Sequence, residues 1–280
     1  MLLCIALKNH YILLWRCSLL NLLKGILKRV KKDQFLFEEL VKRDFKIKYK
    51  RTVLGIGWSL LSPILQLLVM SMVFSRFFGR TMNHYIIYLF SGNLIFSYFN
   101  ESTTQGMTAL ESNAHIFSKI NVPKYIFVLS KNVSSLINFL LTLIIYFVFV
   151  IADGIGLHWR FLTLVYPVLC LLVFNIGMGL ILSALHVFFK DVKYLYSILT
   201  MLLMYLSAVF YTLDKFTPLQ QQLFYINPVF SYIDYFRCVV LRGSIPPLWH
   251  HGVCLLHALL AFSGGLAIYH KYNYKFLYYI

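Results

Sequence analysis

From position 52 onward the chain alternates long apolar runs with short polar breaks. The runs have the length that crosses a bilayer, about 20 residues for about 30 Å of hydrocarbon. They predict six transmembrane helices at roughly 58–78, 85–110, 126–151, 162–189, 195–211 and 252–269. Pro63 lies near the start of the first span, where a missing N–H costs little. The breaks carry turn chemistry or charge: Arg76, Gly79 and Arg80 after the first run, Asp153, Gly154 and Gly156 after the third, Lys190 to Lys193 after the fourth. The second run is unusual because its later half, NESTTQGMT, is polar and contains Glu101. A carboxylate at membrane depth is costly unless it faces water or protein, so a polar, protein-lined face is expected there.

Two stretches are patterned but do not span. From Tyr11 to Lys32 the polar residues Ser18, Asn21, Lys24, Lys28 and Lys31 recur every three to four positions. That is one face of a helix, which predicts an N-terminal amphipathic, interfacial helix with a basic face. The unbroken apolar region and small-residue cleavage site of a signal peptide are not obvious in residues 1–23, so none is expected there. A competing reading places residues 1–23 upstream of the true start. Residues 214–249 are apolar but broken by Pro218, Pro228, Pro246 and Pro247. Asn227 before Pro228 reads as an N-cap and first helical residue. In the helix that follows, Asp234 and Arg237 stand at i, i+3, within pairing reach. Re-entrant or interfacial short helices are expected here between spans five and six, allowed only where protein covers the turn.

Composition fixes the solvent. The 280 residues are 60% hydrophobic and 13% charged, against about 25% charged in soluble domains. The fold class expected is therefore an all-α integral membrane protein. Residues 1–51 form an amphipathic and basic cytoplasmic segment, and 52–280 form the transmembrane domain. The net charge of +16 would suggest nucleic acid in a soluble chain. Here Lys and Arg cluster beside alternate membrane ends, so no nucleic-acid partner is expected. Of the 26 Lys and Arg, only Arg76, Arg80, Arg160, Lys215, Arg237 and Arg242 fall on the opposite side. That bias puts both termini in the cytoplasm and brings anionic lipid headgroups to the basic face.

Several chemistries find no support. There is no GxxxxGK[ST] phosphate loop, no GxSxG elbow and no HExxH. Gly55-Ile56-Gly57 and Gly177-Met178-Gly179 lack the third glycine of a dinucleotide turn and suit close helix packing. Cys4, Cys17, Cys170, Cys238 and Cys254 are scattered without a CxxC pair, so neither a disulfide framework nor a zinc ribbon is expected. His250, Cys254 and His257 share a helix face, but no fourth ligand is evident, and no metal site is expected.

Ordered along these spans are LVKRDFKIKYKRTVLGIGWSLLSPIL, then the stretch from Gly92 through Asn113, Lys119, Pro123 and Lys124. Lys190-Asp191-Val192, Asn227-Pro228 and Arg237 follow. From about Leu40 to the end the chain resembles the permease subunit of ABC-2-type exporters. The likeness is closest to the branch that exports O-antigen, capsule or teichoic acid. It implies a homodimer in the bacterial cytoplasmic membrane, carrying two ATPase subunits that hold ATP and Mg, with no cofactor on this chain. It implies that the loop between spans two and three docks on the ATPase, through Glu111, Ser112, Asn113, Phe117, Lys119 and Lys124. The implied substrate is a lipid-linked glycan. Its anionic head would meet Lys48, Lys50 and Arg51 at the entrance, by charge-assisted bonding. Its sugars would pass Tyr98, Phe99, Tyr205 and Tyr211, near Glu101, because tyrosine joins an apolar ring to a polar tip. The segment from Phe216 to Arg242, with Asn227, Pro228, Asp234 and Arg237, would form an outer gate.

Rival readings are an exporter of a drug or lipid, a membrane-embedded transferase, and a secondary transporter. The transferase needs acidic or His residues gathered at one interface, whereas the ten acidic residues here are dispersed. The secondary transporter needs inverted repeats, and the two halves share no convincing similarity.

Overall fold

The computed structural model describes residues 34–50, 52–55, 57–78, 83–119, 122–214, 216–273 and 275–279. The expected amphipathic helix at 11–32 lies outside them. All the regular structure among the described residues is helical. Helix α1 is Gln34–Tyr49, α2 Gly57–Phe78 and α3 Tyr85–Met107. A 3-10 turn, Glu111–Asn113, and the short α4, Ala114–Phe117, lead to α5, Tyr125–Ala152. A second 3-10 turn, Trp159–Leu164, opens α6, Val165–Phe188. Then come α7 Val192–Leu206, α8 Pro218–Phe224, α9 Pro228–Val240, α10 Leu248–Tyr272 and α11 Phe276–Tyr279.

Four segments are long and apolar enough to cross a membrane: Gly57–Phe74, Tyr125–Ala152, Trp159–Phe188 and Leu248–Tyr272. Two of the six expected spans fall short of that measure. Helix α3 has the length, but its polar last turns dilute its hydropathy, and it ends at Met107 rather than Leu110. Helix α7 has 15 residues, about 22 Å at 1.5 Å per residue. It stops at Leu206 because the chain turns there, with Ala208 in the left-handed region at φ 48°. Pro63 is the seventh residue of α2, not a first-turn residue. Inside a helix proline offers no N–H to the carbonyl four residues back, here Ser59.

Helix α3 is the axis of the bundle, buried along most of its length against α2, α5, α6 and α9. Its aromatic and branched side chains join those of α5, α6 and α9 in one core. The tightest seam joins α6 to α10. A Cβ on Gly177 would stand 2.4 Å from the backbone of Ala261, and one on Gly265 would stand 2.7 Å from the Gly177 carbonyl. Gly106 and Gly179 bring α3 and α6 nearly as close, a Cβ on Gly106 standing 2.9 Å from the Gly179 Cα. Small residues at such crossings let backbones approach where water gives no hydrophobic drive. Gly55-Ile56-Gly57 does something different. Gly55 turns the chain at φ 53° in open space, and Ile56 lies outside the described residues.

Between α7 and α10 the two short helices form where the prolines predicted. Thr217 caps α8 in a reciprocal capping box with Gln220. Asn227 caps α9 by accepting from the Val229 N–H at 3.0 Å, with Pro228 as first helical residue. Helix α9 is buried on nearly every side.

Candidate functional site

Three polar stripes converge on one cleft. Helix α2 contributes Ser59, Ser62 and Gln66, α3 contributes Asn93, Ser97 and Glu101, and α5 contributes Ser135, Asn138 and Thr142. Each set recurs every three to four residues, which places it on one face of its helix. They line a volume of about 400 Å³, to which Lys48 at the foot of α1 also contributes. Glu101 is the hub. It accepts from Lys48 Nζ at 2.8 Å, Asn138 Nδ2 at 2.8 Å and Gln105 Nε2 at 3.1 Å. Charged and amide donors so matched make a carboxylate tolerable inside an apolar bundle. Tyr98 and Phe139 stack at 4.5 Å to form an aromatic wall. Ser135 is buried, and its Oγ has no hydrogen-bond partner among the described residues.

The residues expected along a path divide among three places. Glu101, Tyr98 and Lys48 meet in the cleft. Phe99 points away into the core beside Phe174, because it is one step round the helix from Tyr98. Tyr205 and Tyr211 lie at the opposite end of the bundle, the Tyr211 hydroxyl donating to the Tyr205 carbonyl at 2.9 Å. The Tyr211 carbonyl accepts from Tyr88, about 20 Å along α3 from Glu101 at 1.5 Å per residue. Lys50 is exposed beyond the cleft and outside its lining. Arg51 falls outside the described residues. The stripes on α2 and α5 escaped the sequence reading, although their spacing was visible, because single serines in apolar runs draw no notice.

The loop between α3 and α5 is clamped on two sides. Glu111 accepts from His186 Nε2 at 2.9 Å and Lys190 Nζ at 3.0 Å. The His186 bond first, then Lys190, holds its carboxyl below the ordinary 4.5. Asn113 is fully buried, so it is not available as a contact surface. It donates to the Ala109 carbonyl at 2.8 Å and accepts from Arg43 Nη2 at 2.6 Å. Arg43 and Lys131 also share Asp44, which joins the loop to α1 and α5. Lys124 is likewise committed, donating to the Asn273 carbonyl at 2.6 Å beyond the end of α10. Burial lowers its pKa. Ser112 and Lys119 remain exposed. The Phe117 side chain lies outside the described residues.

At the other end the expected Asp234–Arg237 pair does not form. Asp234 instead accepts from Arg242 at 2.6 Å and from the Tyr225 hydroxyl at 2.7 Å. Arg237 turns inward. It donates to the carbonyls of Ala208 at 2.9 Å, Val209 at 3.0 Å and Tyr88 at 3.2 Å. Its guanidinium lies 3.4 Å from the centre of the Tyr88 ring. The chain turn after α7 presents the Ala208 and Val209 carbonyls, Tyr88 adds one from α3, and a planar fork of donors fits all three. His250 faces the Ser231 carbonyl at 2.9 Å. Among the described residues no three His, Cys, Asp or Glu come together as a metal site.

A family model described as "ABC-2 type transporter" matches residues 36–241. The chain belongs to that family. Similar proteins include an O-antigen export system permease protein RfbA of Klebsiella pneumoniae, 26% identical over 249 residues, covering 86% of this chain and 95% of that one. An RfbA of Myxococcus xanthus is 26% identical over 213 residues, covering 75% and 82%. The polysialic acid transport protein KpsM of Escherichia coli is 22% identical over 238 residues, covering 83% and 91%.

This ABC-2 type transporter is thus a multi-pass membrane protein and a transport subunit. The family match runs from α1 to the end of α9. It takes in the whole cleft, the clamped loop and Arg237. Helix α10, which closes on α6 through glycine, lies beyond it.

Proposed function

We propose that the chain is the permease subunit of an ATP-driven exporter that moves a lipid-linked polysaccharide across the bacterial cytoplasmic membrane. The observation that carries this reading is the near full-length likeness to proteins named for O-antigen export and polysialic acid transport. The cleft lined by hydroxyls and amides within an otherwise apolar bundle agrees with a hydrophilic cargo. Two copies of the chain form the conduit, with all six apolar segments crossing and both termini in the cytoplasm, as the charge bias favours. Two ATPase subunits, holding ATP and Mg, sit against the loop between α3 and α5. Exposed Lys119 and Ser112 serve as its contact surface. Lys48, beside Glu101, marks the cytoplasmic entrance, and α8 with α9 forms the outer gate. ATP drives the cycle only if the two states of the dimer bind it unequally.

Deleting the gene tests the reading. Lipid-linked glycan should accumulate inside the cell and return to the surface on re-expression. The tagged chain should also bring down an ATPase in equal amount. Drug sensitivity with normal surface glycan would instead assign the chain to export of a drug or lipid.

A further inference from the structure

We propose that the cleft inside each protomer is a saccharide-binding subsite that holds one or two sugar rings of the passing chain. The proposal rests on the export reading above and goes beyond it by placing sugar within a protomer. Charge argues first. Among the described lining residues Lys48 and Glu101 are the ionised ones, and they neutralise each other at 2.8 Å. A phosphate headgroup binds where cations stand in excess, which is not the case here. An acyl chain would match Trp58, Pro63 and Leu94 but would leave the hydroxyls and amides of three helices without partners, whereas a sugar ring, with both hydroxyls and a C–H face, meets both kinds of wall.

Hydrogen-bonding type argues second. Ser, Thr, Asn and Gln each donate and accept, which matches the alternating demands of sugar hydroxyls. Ser135 supplies an independent sign: its Oγ is buried in this lining with no partner among the described residues. A buried hydroxyl left unmatched is costly, and a ligand hydroxyl would complete it. Shape argues third. Trp58, 40% exposed, offers an aromatic face to the C–H side of a ring, with the buried Tyr98–Phe139 stack also in the lining. The volume of about 400 Å³ falls in the range of small-molecule pockets, about 300–1,000 Å³. Depth argues last. Glu101 is about two turns from the Met107 end of α3, and Asn93 is about two turns further. A sugar lodged there has left the entrance and reached the membrane interior.

The test uses the full chain in cells, with the cell's own glycan as probe. A photo-crosslinking amino acid is placed at Ser62 or Ser97 in the cleft, and at Leu68, exposed on the face of α2 turned away from it. Irradiation should yield a glycan adduct at Ser62 and Ser97, and none at Leu68. The adduct should vanish in cells blocked in the first sugar transfer. Phospholipid adducts alone, or no adduct at the cleft positions while gene deletion still traps lipid-linked glycan, would overturn the subsite and leave the export reading standing. If deletion traps no glycan, both fall together. In parallel, Ser135→Val should lower the export rate about tenfold at unchanged membrane abundance, and Ser135→Thr should restore it. Export at the parental rate in Ser135→Val also overturns the proposal.

Discussion

Arg237 shows how a charge can live inside this bundle without an acid. Its donors are matched by three backbone carbonyls and the face of Tyr88. Replacing it by methionine leaves the Val209 carbonyl without its donor and the Ala208 carbonyl with only a long bond from Tyr88 at 3.4 Å, and a buried unmatched carbonyl costs about 1–3 kcal/mol. Arg237→Met should therefore lose most of its folded protein, measured by thermal size-exclusion in detergent. Arg237→Lys should recover little, because an ammonium lacks the planar fork. Glu101 differs in kind, since its partners border open space. Glu101→Leu should cut export about tenfold, the kinetic equivalent of about 1.4 kcal/mol, with membrane abundance kept. Normal surface glycan in that variant would remove Glu101 from the pathway. Glu111 sets a pH test. A carboxyl held below 4.5 contributes its stabilisation in full above the unfolded value, and loses it as pH falls through the lowered one. Protection of the α3–α5 loop from proteolysis should thus persist through pH 4.5 and fail only below it. In Glu111→Gln that acid-dependent loss should disappear.

Helices are held here by fit as much as by greasiness. Any side chain at Gly177 meets the backbone of α10, and overpacking of this kind costs about 1–3 kcal/mol or more. Gly177→Val should lower the amount of folded chain in the membrane, while Gly252→Ala, in open space, should not. Small-residue packing at Gly177 was legible in the sequence, because Gly-Met-Gly inside an apolar run has few other uses. The positions of α5, α6 and α10 were legible from hydropathy, and the α9 cap from Asn-Pro. What hydropathy does not carry is where a helix stops when the cause is tertiary. Helix α7 ends at Leu206 because Arg237, distant in sequence, captures the carbonyls that follow. The same blindness misjudged Asn113 and Phe99, whose burial depends on neighbours from other helices. It also hid the cleft, whose three walls come from helices that no local window compares.

The whole molecule is polarised. One end carries the clamped loop and Lys48, the other the capped short helices and Arg242. In a cysteine-free background, Ser244→Cys should react with an impermeant thiol reagent applied from outside. Lys119→Cys should react only after the membrane is broken. The reverse pattern would invert the topology and detach the ATPase site from this loop. Lys119→Glu is the sounder probe of ATPase release, because Lys124 is tied to the Asn273 carbonyl and its reversal would disturb the fold. The double clamp also has a mechanical corollary. Through Asn113 and Arg43 the loop grips the helix whose last turn bears Lys48, and through Glu111 it grips the junction of α6 and α7. If the loop is where an ATPase docks, as proposed, a stroke delivered there would be split between two levers, one of which ends at a residue lining the polar chamber. Fuel consumption below and the emptying of that chamber would then be phases of one movement.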